Sequence, residues 1–269
     1  MFSISRDILY GMNWGTEKKT LYISGVVIIL LVVIGVPVYF KYFNRAPSCF
    51  DQKLNQDEKG IDCGGVCALL CPDESRPPIV SFQRLYKVNL GSYTALALVE
   101  NSNQAVFSRK LDYVFKIYDK KNVLLFEVPG TTFIPPARVF PIFASPILTG
   151  NREAAQAIFE ITSPSIPWEK GTFNEPDVSV SNVTNEVVDT RSRIGADIIN
   201  NEVYPIKNIP AVAIVYDEMG NAKEASATVI DYISPKGSTH ITFTWNQSFT
   251  FKISKINIIP RPKPREWAE

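Results

Sequence analysis

Leu21 to Phe40, LYISGVVIILLVVIGVPVYF, contains no charged residue. At 1.5 Å per helical residue, about 20 residues cross a bilayer core. Lys18 and Lys19 bound the run on one side and Lys41 on the other, with Tyr22, Tyr39, Phe40, Tyr42 and Phe43 where aromatic rings favour the membrane interface. A buried core helix would keep a polar face, and this run has none. A cleaved signal peptide would have a shorter apolar region followed by small residues. Here the run leads into Lys41-Tyr42-Phe43-Asn44-Arg45, bulky and charged. The expectation is an uncleaved signal-anchor: a cytoplasmic tail over 1–20, a transmembrane helix over 21–43, and everything else on the far side. Arg6, Lys18 and Lys19 against Lys41 and Arg45 leave the positive-inside rule nearly balanced.

The cysteines break that balance. All four fall in one segment past the span, Cys49, Cys63, Cys67 and Cys71, spaced C-x13-C-x3-C-x3-C. An even number in a loop-rich stretch points to two disulfides, which persist outside the reducing cytosol, and three pairings are open. Zinc pairs are usually C-x2-C or C-x4-C joined by a second pair or by histidines, and the single histidine, His240, is distant. The module over 44–76 is therefore expected to be extracytoplasmic. It also gathers Asp51, Asn55, Asp57, Glu58 and Asp62 among turn-permitting glycines, an oxygen set that calcium can use although the spacing is not that of an EF-hand. Solvated acids in a turn-rich loop are the alternative. Cys49, Asp51, Asn55, Glu58, Gly60, Asp62, Cys63, Gly64, Gly65 and Cys67 fit the form C-x-D-x-x-x-N-x-x-E-x-G-x-D-C-G-G-x-C. This resembles a small cysteine module found just outside the membrane in exported bacterial proteins, and it implies export without naming an activity.

Beyond the proline-rich joint PDESRPP the pattern becomes β. Runs rich in Val, Ile, Phe, Tyr and Thr recur at Tyr93–Val99, Tyr113–Tyr118, Val123–Val128, Val139–Phe143, Ile194–Ile199, Ala211–Tyr216, Ala227–Ile230, Ile241–Trp245 and Phe249–Ile253, punctuated by Gly, Pro, Asn and Asp. Asn151–Ile158 is the one stretch that suggests a helical turn. The pattern also repeats. Phe115-Lys116-Ile117-Tyr118-Asp119 returns as Ala213-Ile214-Val215-Tyr216-Asp217, an offset of 98. Asn101 and its neighbours correspond to Asn200 and its neighbours, and Phe133-Ile134-Pro135-Pro136 to Tyr232-Ile233-Ser234-Pro235, each at 99. Three landmarks in one order predict two copies of one module, each of sandwich size. The expected boundaries are a first β-sandwich over 77–166, a linker over 167–176, a second β-sandwich over 177–260 and an extended basic tail over 261–269. Two immunoglobulin-like sandwiches without an intersheet disulfide follow, a mainly β protein behind one helix.

The FKIYD segment, with an Asn-rich turn upstream and a proline turn downstream, resembles the FxLYD family and its relatives among the late-embryogenesis-abundant β-sandwiches. Phe115, Tyr118 and Asp119 fit its pattern with Ile117 in place of leucine; in the second copy only Tyr216 and Asp217 fit. The resemblance implies a bacterial cell-envelope protein beside a membrane anchor, not an enzyme.

No nucleophile elbow, Walker loop, GxGxxG or HExxH occurs. His240 opens a strand, where it packs or faces water. A net charge of +1 gives no field that would draw nucleic acid. Trp168 and Trp245 are expected in packing, and Pro260-Arg261-Pro262-Lys263-Pro264-Arg265 as a solvated terminus. The resulting expectation is a non-catalytic binding or assembly protein with the membrane and another envelope protein as partners. The alternative is an adhesin-like module binding polysaccharide or a host surface, which an aromatic cluster on the loops would favour.

Overall fold

The computed structural model describes residues 14–42 and 48–267. Its one long helix, α1, covers Trp14–Tyr42, about 43 Å at 1.5 Å per residue. From Lys18 to Lys41 it is long and apolar enough to cross a membrane, and none of that stretch is buried against the protein, so it is not the core helix of a folded domain. Arg6, Phe43 and Arg45, which entered the reading of its flanks, lie outside the described residues.

The remainder is mainly β. The first six strands are β1 (Ile79–Asn89), β2 (Ser92–Asn101), β3 (Val106–Tyr118), β4 (Leu124–Ile134), β5 (Arg138–Leu148) and β6 (Gln156–Ile161). They form two antiparallel sheets, ordered β1-β2-β5 and β4-β3-β6. A two-residue strand, β7 (Glu169–Lys170), pairs with the start of β3. Then come β8 (Val178–Val188), β9 (Arg191–Asn200), β10 (Ile206–Asp217), β11 (Ala222–Ile233), β12 (Ser238–Thr244) and β13 (Ile253–Pro260), in sheets ordered β8-β9-β12 and β11-β10-β13. Strand for strand, β8–β13 repeat the topology of β1–β6. These are two tandem immunoglobulin-like sandwiches.

The landmarks that betrayed the repeat hold its turns. Asn101 is buried, and its Nδ2 donates to Val106 O and Pro135 O, each at 2.8 Å, while its Oδ1 accepts from Asn103 N. Asn200 repeats this 99 residues later, donating to Tyr204 O and Ser234 O and accepting from Glu202 N. One amide thus ties two loops at the same end of each sandwich, serving backbone groups that water cannot reach. At the other end Asp119 Oδ1 accepts from Lys121 N and Val123 N, as Asp217 Oδ1 does from Met219 N and Asn221 N. Both are side-chain-closed turns that fix a hairpin register. Phe115, at the start of the motif, is fully buried in the first core; Tyr118 and Tyr216 are half-buried.

The sandwiches do not hang apart on a linker. On β2, Tyr93, Ala95, Ala97 and Val99 face the first core, and Leu96 and Leu98 face the other way. On β10, Ala211, Ala213 and Val215 face the second core, and Val212, Ile214 and Tyr216 face the other way. Those outward sets meet in a third apolar cluster with Tyr86, Phe143, Ala222, Ala225 and Ile259. Leu96 and Ile214 are fully buried there. The β1-β2-β5 sheet therefore lies on the β11-β10-β13 sheet, which is not its counterpart in the repeat.

Four expectations need correction. The tail is docked, not solvated: Arg261 is 9% exposed, and Pro262 and Pro264 are buried. Arg261 N donates to Pro210 O in the second sandwich, while its guanidinium donates to Thr132 Oγ1, Pro141 O and Phe133 O in the first. The guanidinium also stacks 4.5 Å from the Phe133 ring centre and 4.8 Å from that of Phe140. The segment read as a linker contains Trp168, buried in the first core, and β7. Phe249–Ile253 is not a strand, because Phe249 N bonds Ser192 Oγ rather than a ladder partner; strand structure begins at Ile253. Asn151–Ile158 forms no helical turn. It leads into β6, which places Phe159 in the core beside Phe115.

Candidate functional site

The cysteine module closes with Cys49–Cys67 and Cys63–Cys71 disulfides. Its chain reversals rest on carboxylates. Asp62 accepts from Asp51 N and Gln52 N, Asp51 accepts from Lys53 N and from Asn55 Nδ2, and Glu58 Oε2 accepts from Asn55 N. The Asn55 amide and the backbone N–H groups hold the Asp51 carboxyl below its usual range. Three of the four acids in the expected calcium set, Asp51, Glu58 and Asp62, thus cap backbone donors. Asp57 contributes its carbonyl, against which Gly65 packs: at φ +55° a Cβ there would fall 1.6 Å from Asp57 O, so only glycine fits. Glu58 Oε1 also lies 3.1 Å from Cys67 Sγ, but a disulfide sulfur has no proton to give and is no thiolate ligand. The module leans on the first sandwich: Leu70 N donates to Trp168 O, Lys170 N donates to Ala68 O, and Leu69 bridges Glu169.

His240 lies on the open face of the β8-β9-β12 sheet. Its Nδ1 is 2.7 Å from Asp197 Oδ1, and its side chain is 58% exposed. Asn182 Nδ2 holds the other Asp197 oxygen. Asn182 and His240 keep the Asp197 carboxyl low. The arrangement orients an imidazole on a flat surface and supplies no enclosure around it.

A partly enclosed space lies at the junction of the sandwiches. A cleft of about 650 Å³, within the ~300–1,000 Å³ range of ligand sites, is lined from both modules. The end of β1 and its turn (86–90), Thr94 of β2, and Phe143 and Ser145 of β5 form one wall. Residues 223–227 of β11, Thr244 at the end of β12 and the β12–β13 loop (245–251) form the other. Asn246 Nδ2 donates to Asn89 Oδ1 at 3.0 Å, so the two loops meet across the rim. Trp245, Phe249 and Phe251 stack in sequence, ring centres 5.0 and 5.4 Å apart. Tyr86 OH and Arg84 Nη1 both donate to Ala222 O, tying β1 to β11. Thr94 Oγ1 and Trp245 Nε1 are buried without a hydrogen-bond partner among the described residues.

Glu224 is the chemically distinct group of this cleft. Burial pushes its carboxyl up to about 7, against the pull of Lys223 and of the Trp245 indole, which comes close without closing a hydrogen bond. Burial likewise holds the Tyr86 phenol well above its usual range. None of these cleft residues was singled out from sequence as a binding residue; Trp245 was assigned to packing, and it packs and lines the cleft at once. The signal that could have found the junction is the unbroken apolar runs Ala95–Val99 and Ala211–Val215. Continuous runs mark strands buried on both faces.

No family model matches the chain, and no curated protein matches it. Among solved structures, a crystal structure of red sea bream transglutaminase is similar at 12% identity and a TM-score of 0.21, over 69% of this chain and 32% of that one. The chain spans about a third of the length of that structure, and the likeness carries no argument about activity.

Proposed function

We propose that this chain is a membrane-anchored, extracytoplasmic, non-catalytic binding or assembly protein of the cell envelope, which engages another protein at the junction of its two sandwiches. The carrying observation is the junction itself. Two modules locked by a buried third core leave a partly enclosed cleft bordered by β11, an edge strand of its sheet. An edge strand offers unpaired backbone groups to an incoming strand. The fully solvent-facing α1 apolar stretch supports the anchor, and the disulfides support an oxidising compartment. The FxLYD-like motif and the cysteine-module form support the envelope setting.

One observation favours a second reading. The aromatic run Trp245-Phe249-Phe251 on the β12–β13 loop, beside Asn89, Asn246 and Gln247, offers ring faces and uncharged polar groups of the kind a saccharide uses. A photo-crosslinking residue at Gln247, in the full chain and in cells, separates the two. A recurring protein adduct supports the assembly reading. Absence of a protein adduct, together with saturable oligosaccharide binding lost in Trp245→Ala, supports the second. Neither result would overturn both.

A further inference from the structure

The cysteine module divides into two halves of opposite character. Residues 67–71 are its docking side: Cys67 is fully buried, Cys71 is 5% exposed, and Leu70 packs on the first core. Lys170 Nζ also donates to Gly65 O, so the ties to the sandwich extend as far as the residue before Val66. Residues 50–66 instead hold four large apolar side chains out of the protein. Phe50 is 87% exposed, Leu54 63%, Ile61 61% and Val66 60%. Isolated exposed apolar residues need no explanation, but four in seventeen consecutive positions of a small two-disulfide module do.

The chain itself supplies what can cover them. Six Cα–Cα steps separate Tyr42, the last residue of α1, from Ser48, so whatever path they take the two lie within about 22 Å. The bilayer's polar zone is about 5–8 Å deep on each side. A module tethered this closely meets the surface at an effective concentration on the order of millimolar. Its acidic groups do not prevent contact, since Asp51, Asp62 and Glu58 are turned to backbone donors. With Lys53 and Lys59 against four acids in this half, the attraction is apolar and not electrostatic.

We infer that the cysteine module is a membrane-surface collar: Phe50, Leu54, Ile61 and Val66 enter the outer interface of the bilayer that α1 crosses. Because the other half is fixed to β7 and Trp168, the collar sets the angle at which both sandwiches stand on the membrane. This rests on the anchored reading proposed above.

The test uses the full chain in phosphatidylcholine nanodiscs with benzoylphenylalanine at position 50 or 66. Position 219 is the control, since Met219 is equally exposed at 87% but lies on the β10–β11 turn. Lipid adducts at 50 and 66 several-fold above those at 219, unchanged by raised salt, are expected. A carbonate wash of native membranes run in parallel reports the anchor separately; extraction would overturn the anchored reading and the collar with it. If the chain stays in the membrane, lipid labelling at 50 and 66 no greater than at 219 would overturn the collar alone. So would adducts to a second copy or to another protein. A non-reducing gel confirms that both disulfides have formed in each labelled variant.

Discussion

Arg261→Ala tests whether the tail is a structural staple. In the native chain the guanidinium makes three hydrogen bonds to the first sandwich and lies over two rings, while its own N–H is held by the second. Hydrogen bonds to charged groups contribute about 1.5–3 kcal/mol each. The two ring contacts add about 1–2 kcal/mol when desolvated. Against these stands the burial of a cation, several kcal/mol, seen also in the guanidinium's fall to about 10, which leaves it protonated at neutral pH. Truncation removes the attraction and takes one donor from each of two buried carbonyls, so a net loss of about 3 kcal/mol is expected. For a folded body of this size, 1 kcal/mol moves Tm by about 2–4 °C, giving a fall of about 6–12 °C. Arg261→Lys should recover less than half of it, because an ammonium cannot present a planar fork to three acceptors. Calorimetry of the full chain in detergent would measure both. A shift below about 2 °C for Arg261→Ala would refute the staple, whatever Arg261→Lys did.

Leu96→Ala opens the third cluster rather than either sandwich core and should cost about 2–4 kcal/mol by chemical denaturation. Val99→Ala, within the first core, should cost less because fewer atoms are removed. Glu224 has a folded-state pKa near 7 against 4.5 ordinarily, so the folded state binds the extra proton and stability falls as pH rises from about 4.5 to about 7. Glu224→Gln should flatten that slope: melts should match wild type near pH 4 and exceed it at pH 8. Gly65→Ala, which would drive a Cβ into Asp57 O, should prevent quantitative pairing of Cys49 with Cys67, read by mass spectrometry after thiol blocking.

How much of this was legible beforehand varied with the range of the interaction. The repeat was visible because its marks are local: Asp119 and Asp217 close turns onto residues two and four positions on, and any sequence with such a turn shows it. Asn101 and Asn200 were visible only as turn residues; that each bridges a second loop over thirty residues away needed three dimensions. The junction was hidden for a different reason. Leu96 and Ile214 sit in apolar runs that mark strands covered on both faces, but nothing in those runs says that the cover on the second face is the other module. Arg261 was misjudged because a basic residue between prolines resembles a solvated tail. The Glu175 carboxylate nearby and the cage made by the Thr132 hydroxyl, the Phe133 and Pro141 carbonyls and the Phe133 and Phe140 rings offset its burial.

The packing of non-equivalent sheets also orders the steps by which this protein is made. By Ile161 the first sandwich has all six strands of its sheets, yet β13 and Arg261 lie up to a hundred residues further on. At about 5–20 residues per second, that interval lasts roughly 5–20 s. Leu96, Leu98 and Phe143 gain their partners within it in stages, first from β10 and β11 and last from Ile259 of β13. The outer face of the first sandwich is therefore one that only the second module covers, and β13, which carries Ile259 into the shared cluster, is the last strand of that module to be synthesised.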